Sequence, residues 1–222
     1  MGKSITLTAS DGHSLSAYRA DPPGKPRGGV VVIQEIFGVN SHIRQVADSF
    51  AADGYLAIAP AMYDRIQRGF DVGYTPEDIQ AGRALKEKSP VDAAMMDAAA
   101  AIQAAAEGGK VGIVGYCWGG FVSWMAAARA KGLACAVPYY GGGVTDNIAE
   151  QPKCPVMLHF GDKDAHIPLA GVEKLKAAHP KQVVHVYAAE HGFHCDHRGS
   201  YNAAAAKLAR ERTLEFFRKH IG

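Results

Sequence analysis

The sequence predicts a single domain of the α/β class, in which a mostly parallel sheet carries helices on both faces. Three observations predict it. Short apolar runs alternate with helical patterns along the 222 residues, the runs are apolar almost throughout, and only the opening segment alternates about a turn. Near-continuous apolar runs suit strands that are covered on both faces. The order strand, helix, strand, helix then indicates a parallel sheet.

Six apolar runs are the predicted central strands of this sheet. They cover residues 28–35, 55–60, 110–116, 134–141, 154–161 and 181–188. Between the first two runs, apolar residues repeat at helical spacing after Asn40, a residue type that commonly caps helices. Ser89 followed by Pro90 predicts the cap and first turn of an alanine-rich helix before the third run. Strands and helices are therefore expected to alternate over most of the chain.

Two segments fall outside this alternation. Residues 4–20 alternate polar and apolar side chains around Asp11-Gly12, which predicts an antiparallel hairpin at the edge of the sheet. Residues 62–88 are polar, contain glycine and proline, and show no strand pattern. They are expected to form a lid over a site or an ordinary surface loop. Residues 1–222 are otherwise predicted to form one domain.

The balance of charges argues against several kinds of partner. Lysine plus arginine (24) nearly equals aspartate plus glutamate (22), and the basic residues are spread along the chain. A surface for nucleic acid or membrane would concentrate positive charge instead. No run is long and apolar enough to cross a bilayer, and the first residues lack the apolar stretch of a secretion signal. We expect a cytoplasmic monomer whose partner is a small molecule.

The cysteines indicate free thiols. The chain has four, and they lie far apart with no C-x-x-C pair: Cys117, Cys135, Cys154 and Cys195. A disulfide framework is therefore not expected, and reduced thiols are the default in a cytoplasmic protein. This permits a reactive cysteine.

One cysteine stands in an unusual local context. Gly115-Tyr116-Cys117-Trp118-Gly119 joins an apolar run directly to a helical pattern, which is the nucleophile-elbow arrangement with cysteine in place of serine. The glycines are needed because the turn is strained and side chains beside it would collide. At a helix N-terminus, free N–H groups and the helix dipole favour a thiolate and stabilise an oxyanion. The alternative is a buried structural cysteine on a tight turn.

An acid and a histidine are expected after the elbow, in that order, if the fold is that of an α/β-hydrolase. Asp162 and Asp164 follow one apolar run, and His191, His194 and His197 follow the next. Groups after these strands can meet the elbow at the carboxyl edge of the sheet, where open α/β sheets bind ligands. The residues alone leave the choice within each group open.

These segments together resemble the dienelactone hydrolase family of α/β-hydrolases. The similarity covers nearly the whole chain, and its motifs are "VVIQEIFGVN", "GKVGIVGYCWGG", "GDKDAHIP", "HGF" and "ERTLEFF". A cysteine elbow together with Q-E-I-F-G is more specific than either motif by itself. The resemblance implies a hydrolase of esters or lactones that works through a covalent acyl-enzyme intermediate.

The resemblance also implies a role for each matching residue. These are Cys117 as nucleophile, Asp164 as orienting acid, His191 as base, Glu35 as a carboxylate near the thiol, and the backbone N–H groups of Ile36 and Trp118 as oxyanion hole. A carboxylate beside the thiol would hold it neutral until substrate binds. The alternative for Glu35 is an exposed carboxylate at a strand end.

The substrate-binding residues match the family less well. Well-known members bind a substrate carboxylate with two arginines, and this chain has Ile79 and Cys195 at the corresponding positions. Arg83 and Arg198 lie close by in the sequence and are the candidates to replace them, because carboxylate binding needs a guanidinium and not a particular backbone site. The alternative is that both are solvated surface residues. The natural substrate is therefore not specified by the sequence.

Other classes of function were weighed against this one. A non-catalytic small-molecule binding protein on a hydrolase scaffold is the main alternative. A metal site is suggested by the crowded segment "HGFHCDHR", but its spacing fits neither C-x-x-C nor H-E-x-x-H. A redox role for Cys117 would need a resolving thiol, for which Cys195 is the candidate. We expect no cofactor and no metal.

Overall fold

The predicted apolar runs form the strands of one sheet in a computed structural model that describes residues 2–222. The strands are β1 Lys3–Thr8, β2 Ser14–Ala20, β3 Gly29–Ile33, β4 Leu56–Pro60, β5 Val111–Tyr116, β6 Leu133–Tyr139, β7 Met157–Gly161 and β8 Val183–Tyr187. The helices are α1 Ser41–Ala52, α2 Pro76–Glu87, α3 Val91–Ala105, α4 Trp118–Arg129, α5 Leu169–Ala178 and α6 Ala203–His220. All six predicted central strands are confirmed, with ends that shift by a few residues.

The strand order is β1-β2-β4-β3-β5-β6-β7-β8. From β4 to β8 neighbouring strands run parallel, whereas β2 pairs antiparallel with both β1 and β4. The predicted hairpin is therefore confirmed, and β1 lies at the edge of the sheet. The central strands β3, β4 and β5 are buried along their whole length, as expected where both faces are covered.

The helices cover both faces of the sheet, and two glycines of β5 show it. A β-carbon at Gly112 would touch the ring of Phe217 in α6, and one at Gly115 would collide with the carbonyl oxygen of Gly119 in α4. Because these positions are an odd number of residues apart, they point to opposite faces of the strand. α6 therefore lies on one face, beside α1 through the contact of Phe50 with Phe217, and α4 lies on the other face beside α3.

Residues 62–88, expected as a lid or loop, contain a helix that the sequence pattern did not reveal. α2 begins with a capping box, in which Thr75 accepts from the Asp78 N–H and Asp78 accepts from the Thr75 N–H. Gly82 allows α2 to pack closely on the chain after β3, because a β-carbon there would collide with the carbonyl oxygen of Ile36. α2 is thereby held beside the carboxyl end of β3.

The start of the alanine-rich helix differs by one residue from the prediction. Pro90 is the residue that precedes α3, and its side chain cannot cap by hydrogen bonding. Ser89, expected to cap this helix, donates its hydroxyl to the carbonyl oxygen of Leu85 and so serves the end of α2 instead. The cap of α1 is as predicted, since Asn40 Oδ1 accepts from the Ile43 N–H at 3.2 Å.

Within residues 2–222, no helix has the length and apolar character that a membrane span requires. The same part of the chain contains all four cysteines, and each is a free thiol. Three of them are buried, and only Cys117 is partly accessible. The expected free cysteine therefore lies where a small molecule can reach it.

Candidate active site

Cys117 lies on the turn between β5 and α4, in a backbone conformation that few non-glycine residues adopt. Its φ is 56° and its ψ is −116°. The flanking glycines are required sterically: a β-carbon at Gly115 would collide with Gly119, and one at Gly119 would lie 2.5 Å from the Gln34 carbonyl oxygen. Strain of this kind costs on the order of 1–3 kcal/mol and is concentrated at functional sites. The turn aims the thiol away from the strand.

The thiol opens into a cavity of about 370 Å³ at the carboxyl edge of the sheet. Its walls come from the chain after β3, from α2, from the turn after β6 and from the loops after β7 and β8: Ile36, Phe37, Ile79, Arg83, Lys86, Cys117, Gly142, Gly143, His166, His191 and Arg198. This is the edge at which open α/β sheets bind ligands. Predicted site residues that are far apart in sequence thus share one cavity.

The structure places His191 and Asp164 in direct contact. The His191 imidazole Nδ1 lies 2.7 Å from Asp164 Oδ2, and the other carboxylate oxygen of Asp164 accepts from the His166 N–H at 2.8 Å. The Asp164 side chain is fully buried, so both oxygens depend on these partners. The contact orients the ring of His191 and directs its other nitrogen, Nε2, away from the carboxylate.

The electrostatic surroundings raise the pKa of His191 to about 10. Burial by itself lowers the pKa of His191, but the negative charge of Cys117 and the hydrogen bond to Asp164 outweigh it. A pKa raised in this way favours the protonated imidazole at neutral pH, and a protonated imidazole near a cysteine would stabilise its thiolate.

We expect Cys117→Ala to lower the pKa of His191 from about 10 toward its ordinary value of 6.5, because the variant removes the largest favourable charge. NMR titration of the imidazole measures the shift, with Cys154→Ala as the control that removes a thiol outside this cavity.

Since the folded-state pKa is the higher one, protonated His191 stabilises the fold fully below pH 6.5, and this contribution is lost as the pH rises through about 10. An unchanged titration in Cys117→Ala would contradict the pairing.

The rival residues of the sequence analysis lie elsewhere. Asp162 is exposed and its carboxylate makes no hydrogen bond within residues 2–222, whereas Asp164 is buried against His191. His194 packs against the ring of Tyr116 at 5.1 Å, on the other side of its loop. His197 contacts Gln45 through Nε2 at 3.1 Å. The geometry thus separates Asp164 and His191 from their competitors.

Glu35 is buried at the end of β3 and is 1% exposed. Its Oε1 accepts from Arg198 Nη1 at 3.2 Å, and its Oε2 lies 3.5 Å from the hydroxyl of Tyr74. Glu35 is therefore not the exposed strand-end carboxylate of the alternative. Among the described residues its hydrogen bonds go to Arg198 and Tyr74, so a contact with the thiol of Cys117 stays a prediction.

Arg198 reaches this carboxylate from the loop that follows His191. Gly192 makes room for it: a β-carbon there would lie 2.6 Å from Arg198 Nη1, and the φ of Gly192 is +78°. The guanidinium lies 5.7 Å from the centre of the Phe37 ring and 5.9 Å from that of Tyr74. Burial lowers the pKa of Arg198, but the charge of Glu35 and those of further neighbours together outweigh burial, so the pKa is raised. Arg198 is thus a half-buried cation at the cavity wall.

Two cavity residues with ionisable side chains, Lys86 and His166, were given no role by the sequence analysis. Lys86 follows Arg83 by three residues on α2, and Ile79 precedes Arg83 by four, so the three share one face of the helix. The spacing is present in the sequence, but it indicates a shared face only if the segment is a helix, and a lid or loop was expected there. His166 packs edge-on against His191, with ring centres 5.2 Å apart.

The two predicted oxyanion-hole residues are Trp118, which follows Cys117 in the chain, and Ile36, which comes from the segment after β3. Trp118 is the first residue of α4, where a helix leaves N–H groups without an acceptor of its own. Ile36 follows Glu35 after β3 and lines the cavity. The Trp118 ring itself is buried and stacks on Tyr63, with ring centres 5.0 Å apart. The ring therefore contributes to packing, and the predicted role in the oxyanion hole concerns only the backbone N–H of Trp118.

Among the described residues, the side chains that could hold a metal ion do not include Cys117, Asp164 or His191. Two groups of three potential ligands have their ligand atoms within 4.8 Å of one another, and both include His42: Glu35, His42 and Cys195, and His42, Asp196 and His197. The predicted redox partner Cys195 is buried and its thiol donates to the Tyr74 hydroxyl at 3.2 Å.

The sheet order, the cysteine on a strained strand-to-helix turn and the later aspartate and histidine define the class of the protein, an α/β-hydrolase. Within that class the model of the dienelactone hydrolase family matches residues 15–221. The chain belongs to the dienelactone hydrolase family. Membership makes it an enzyme of the ester and lactone hydrolase type.

Similar proteins agree with this assignment. A provisionally named carboxymethylenebutenolidase of Synechocystis sp. is 39% identical over 228 residues, covering 93% of this chain and 92% of its own. The carboxymethylenebutenolidase of Pseudomonas putida is 34% identical and covers 96% and 94%. A crystal structure of a provisionally named dienelactone hydrolase from Klebsiella pneumoniae superposes with a TM-score of 0.86 at 31% identity, covering 99% of this chain and 100% of that one.

Proposed function

We propose that the protein hydrolyses an ester or lactone that carries a carboxylate, through a covalent intermediate on Cys117. The observation that supports this most is the meeting of three groups at one cavity: a thiol on a strained turn, an imidazole whose pKa is raised beside it, and a buried carboxylate 2.7 Å from that imidazole. A nucleophile, a base and an orienting acid in this relation are the parts that acyl transfer needs.

The first half of the reaction forms a thioester. The sulfur of Cys117 attacks the carbonyl carbon, and the tetrahedral oxyanion accepts hydrogen bonds from the backbone N–H groups of Ile36 and Trp118. The C–O bond to the leaving oxygen then breaks, and that oxygen takes the proton held by His191. In a lactone the leaving oxygen remains attached to the acyl group, so the ring opens while the acyl group stays on the enzyme.

The second half releases the acid. Water attacks the thioester carbon while His191 accepts a proton from it, and the C–S bond breaks to return the thiolate and a carboxylic acid. Asp164 holds His191 in one ring orientation through both halves. The N-terminus of α4 and the protonated imidazole stabilise the negative charge on sulfur between turnovers.

The charges at the cavity indicate an anionic substrate. Arg83, Lys86 and Arg198 line it, and the described residues that form its walls include no acidic side chain. Arg198 is already paired with buried Glu35, whereas neither Arg83 nor Lys86 forms an ion pair within residues 2–222. A substrate carboxylate would therefore bind first to the two cations on α2. In this scheme Glu35 acts by holding Arg198 at the wall until a substrate carboxylate competes for it.

The proposal predicts a specific split in kinetics between charged and neutral substrates. In Arg83→Gln and Lys86→Gln, we expect KM for a carboxylated dienelactone to rise about tenfold each, the loss of one charge-assisted contact. Hydrolysis of 4-nitrophenyl acetate, which has no carboxylate, should change less than twofold. Steady-state assays of both substrates with wild type and the two variants measure the split. Lys88→Gln, just beyond α2, is the control.

Failure of wild type to turn over either substrate would contradict hydrolysis and favour a binding protein on the same scaffold. Equal losses on both substrates would contradict the carboxylate site alone.

A further inference from the structure

The loop from Gly192 to Asn202 has two different sides. On one side, Arg198 and the residue just before the loop, His191, line the cavity of Cys117. On the other side, His194 and Asp196 line a second cavity of about 270 Å³. α1 and α6 form the other walls of that second cavity. The loop thus separates the cavity of Cys117 from a second cavity that the proposed reaction does not use.

Three side chains that could ligate a metal ion converge at the rim of the second cavity, and two of them, His42 and Asp196, line it. His42 Nδ1 lies 3.3 Å from Asp196 Oδ1, His197 Nε2 lies 3.6 Å from the same oxygen, and the three ligand atoms are within 4.8 Å of one another. Ligands bonded to one tetrahedral zinc ion at 2.0–2.2 Å lie about 3.3–3.5 Å apart. We propose that His42, Asp196 and His197 form a binding site for a zinc ion, with water completing the coordination.

His42 is the buried member of this group. It is 3% exposed, so packing holds its imidazole in place beside Asp196. Its Nε2 has no hydrogen-bond partner in the part of the chain that the structure describes. A His42 nitrogen and a Glu35 carboxylate oxygen lie within 4.8 Å of each other, without a hydrogen bond between them among the described residues.

The second group that contains His42 is a poorer site for a cation. Its carboxylate, Glu35, is already hydrogen-bonded to Arg198, and a fixed guanidinium repels a divalent ion. The Cys195 thiol is buried and donates to the Tyr74 hydroxyl at 3.2 Å, so binding a cation through this sulfur would break that hydrogen bond. The group at the cavity rim has neither obstacle, and solvent reaches it directly because Asp196 and His197 are exposed.

The remaining charges near the rim are compensated. Arg210 pairs with Asp53 at 2.6 Å, and Lys207 points to solvent and pairs with Glu211 at 3.3 Å. One contact must be exchanged, since His197 Nε2 faces Gln45 Oε1 at 3.1 Å. A zinc ion bound here would link the loop from Gly192 to Asn202 to α1. The site does not depend on the chemistry proposed for Cys117.

The test is zinc binding measured by calorimetry and by competition with a chromophoric chelator. All proteins carry Cys117→Ala, so that the active-site thiol cannot capture the metal. We expect one zinc ion per chain, and affinity lowered about tenfold or more by His197→Gln and by Asp196→Asn. His220→Gln, a surface histidine on α6, and Cys195→Ser should bind as the parent does. Metal-free melting curves confirm that each variant folds.

Cobalt substitution provides a second readout. The proposed ligands predict a visible d–d spectrum without a thiolate-to-cobalt charge-transfer band, because no sulfur is bound. Absence of stoichiometric zinc binding, or binding that survives both His197→Gln and Asp196→Asn, would overturn the proposal. Loss of binding in Cys195→Ser together with a charge-transfer band would overturn it as well and assign the metal to the buried group.

Discussion

Cys117→Ala is expected to lower kcat/KM for ester and lactone hydrolysis by about 10⁴-fold or more, the scale seen when a covalent nucleophile is removed. The thiol is the one group at the cavity placed on a strained nucleophile turn, with a φ of 56°. Without it, only the oxyanion-stabilising N–H groups and substrate binding remain, and these supply a small residual rate. Assays with 4-nitrophenyl acetate and a carboxylated dienelactone measure the loss.

Two further variants complete this experiment. Cys117→Ser keeps the geometry but offers a weaker nucleophile, so its activity is expected to fall between wild type and Cys117→Ala. Cys154→Ala removes a thiol that does not line the cavity and should leave kcat/KM unchanged. Activity that survives Cys117→Ala would contradict the covalent mechanism and leave the fold and family membership intact.

Asp164→Asn is expected to lower kcat by roughly 10³–10⁴-fold with little change in fold. The carboxylate accepts from His191 on one oxygen and from the His166 N–H on the other. An amide has a single acceptor oxygen, so asparagine must present an NH₂ group to one of these two donors. If that donor is His191, the imidazole is driven into the wrong tautomer and loses the charge that raises its pKa.

The neighbouring carboxylate offers a matched control for that variant. Asp162→Asn changes the same side chain two residues away, at an exposed position whose carboxylate makes no hydrogen bond within residues 2–222. Its kcat should stay within about twofold of wild type, as for most surface substitutions. A larger loss in Asp162→Asn than in Asp164→Asn would reverse the assignment of the orienting acid. NMR of the His191 ring protons distinguishes the tautomers.

The loop from Gly192 to Asn202 contributes residues both to the cavity of Cys117 and to the proposed zinc site. Gly192 allows the chain to turn so that Arg198 can reach Glu35, and the loop between them presents Asp196 and His197 to α1. The loop is tied by successive backbone hydrogen bonds, from Cys195 to Gly192 and from Arg198 to Cys195. The position of Arg198 at the cavity is therefore set by a segment whose other face is available to a different ligand.

Local sequence determined the scaffold and the turn that carries Cys117. Continuous apolar runs are the natural form of strands buried on both faces, so β3 to β8 could be predicted before any contact was known. Glycine, cysteine and glycine within five residues specify the turn at Cys117, because the steric reason for the glycines acts between neighbours in the chain. α2 escaped prediction because most of its residues are polar and exposed, so its apolar stripe is too short to show a helical period.

Only the tertiary structure decided which charged groups meet. Glu35 and Arg198 are 163 residues apart, and His42 and Asp196 are also distant in sequence, so no spacing rule connects the members of either pair. The contact of Asp164, and not Asp162, with His191 likewise depended on how the loops after β7 and β8 pack at the carboxyl edge of the sheet. The physical reason is that chain neighbours determine strands and turns, whereas electrostatic partners are set by how those elements pack.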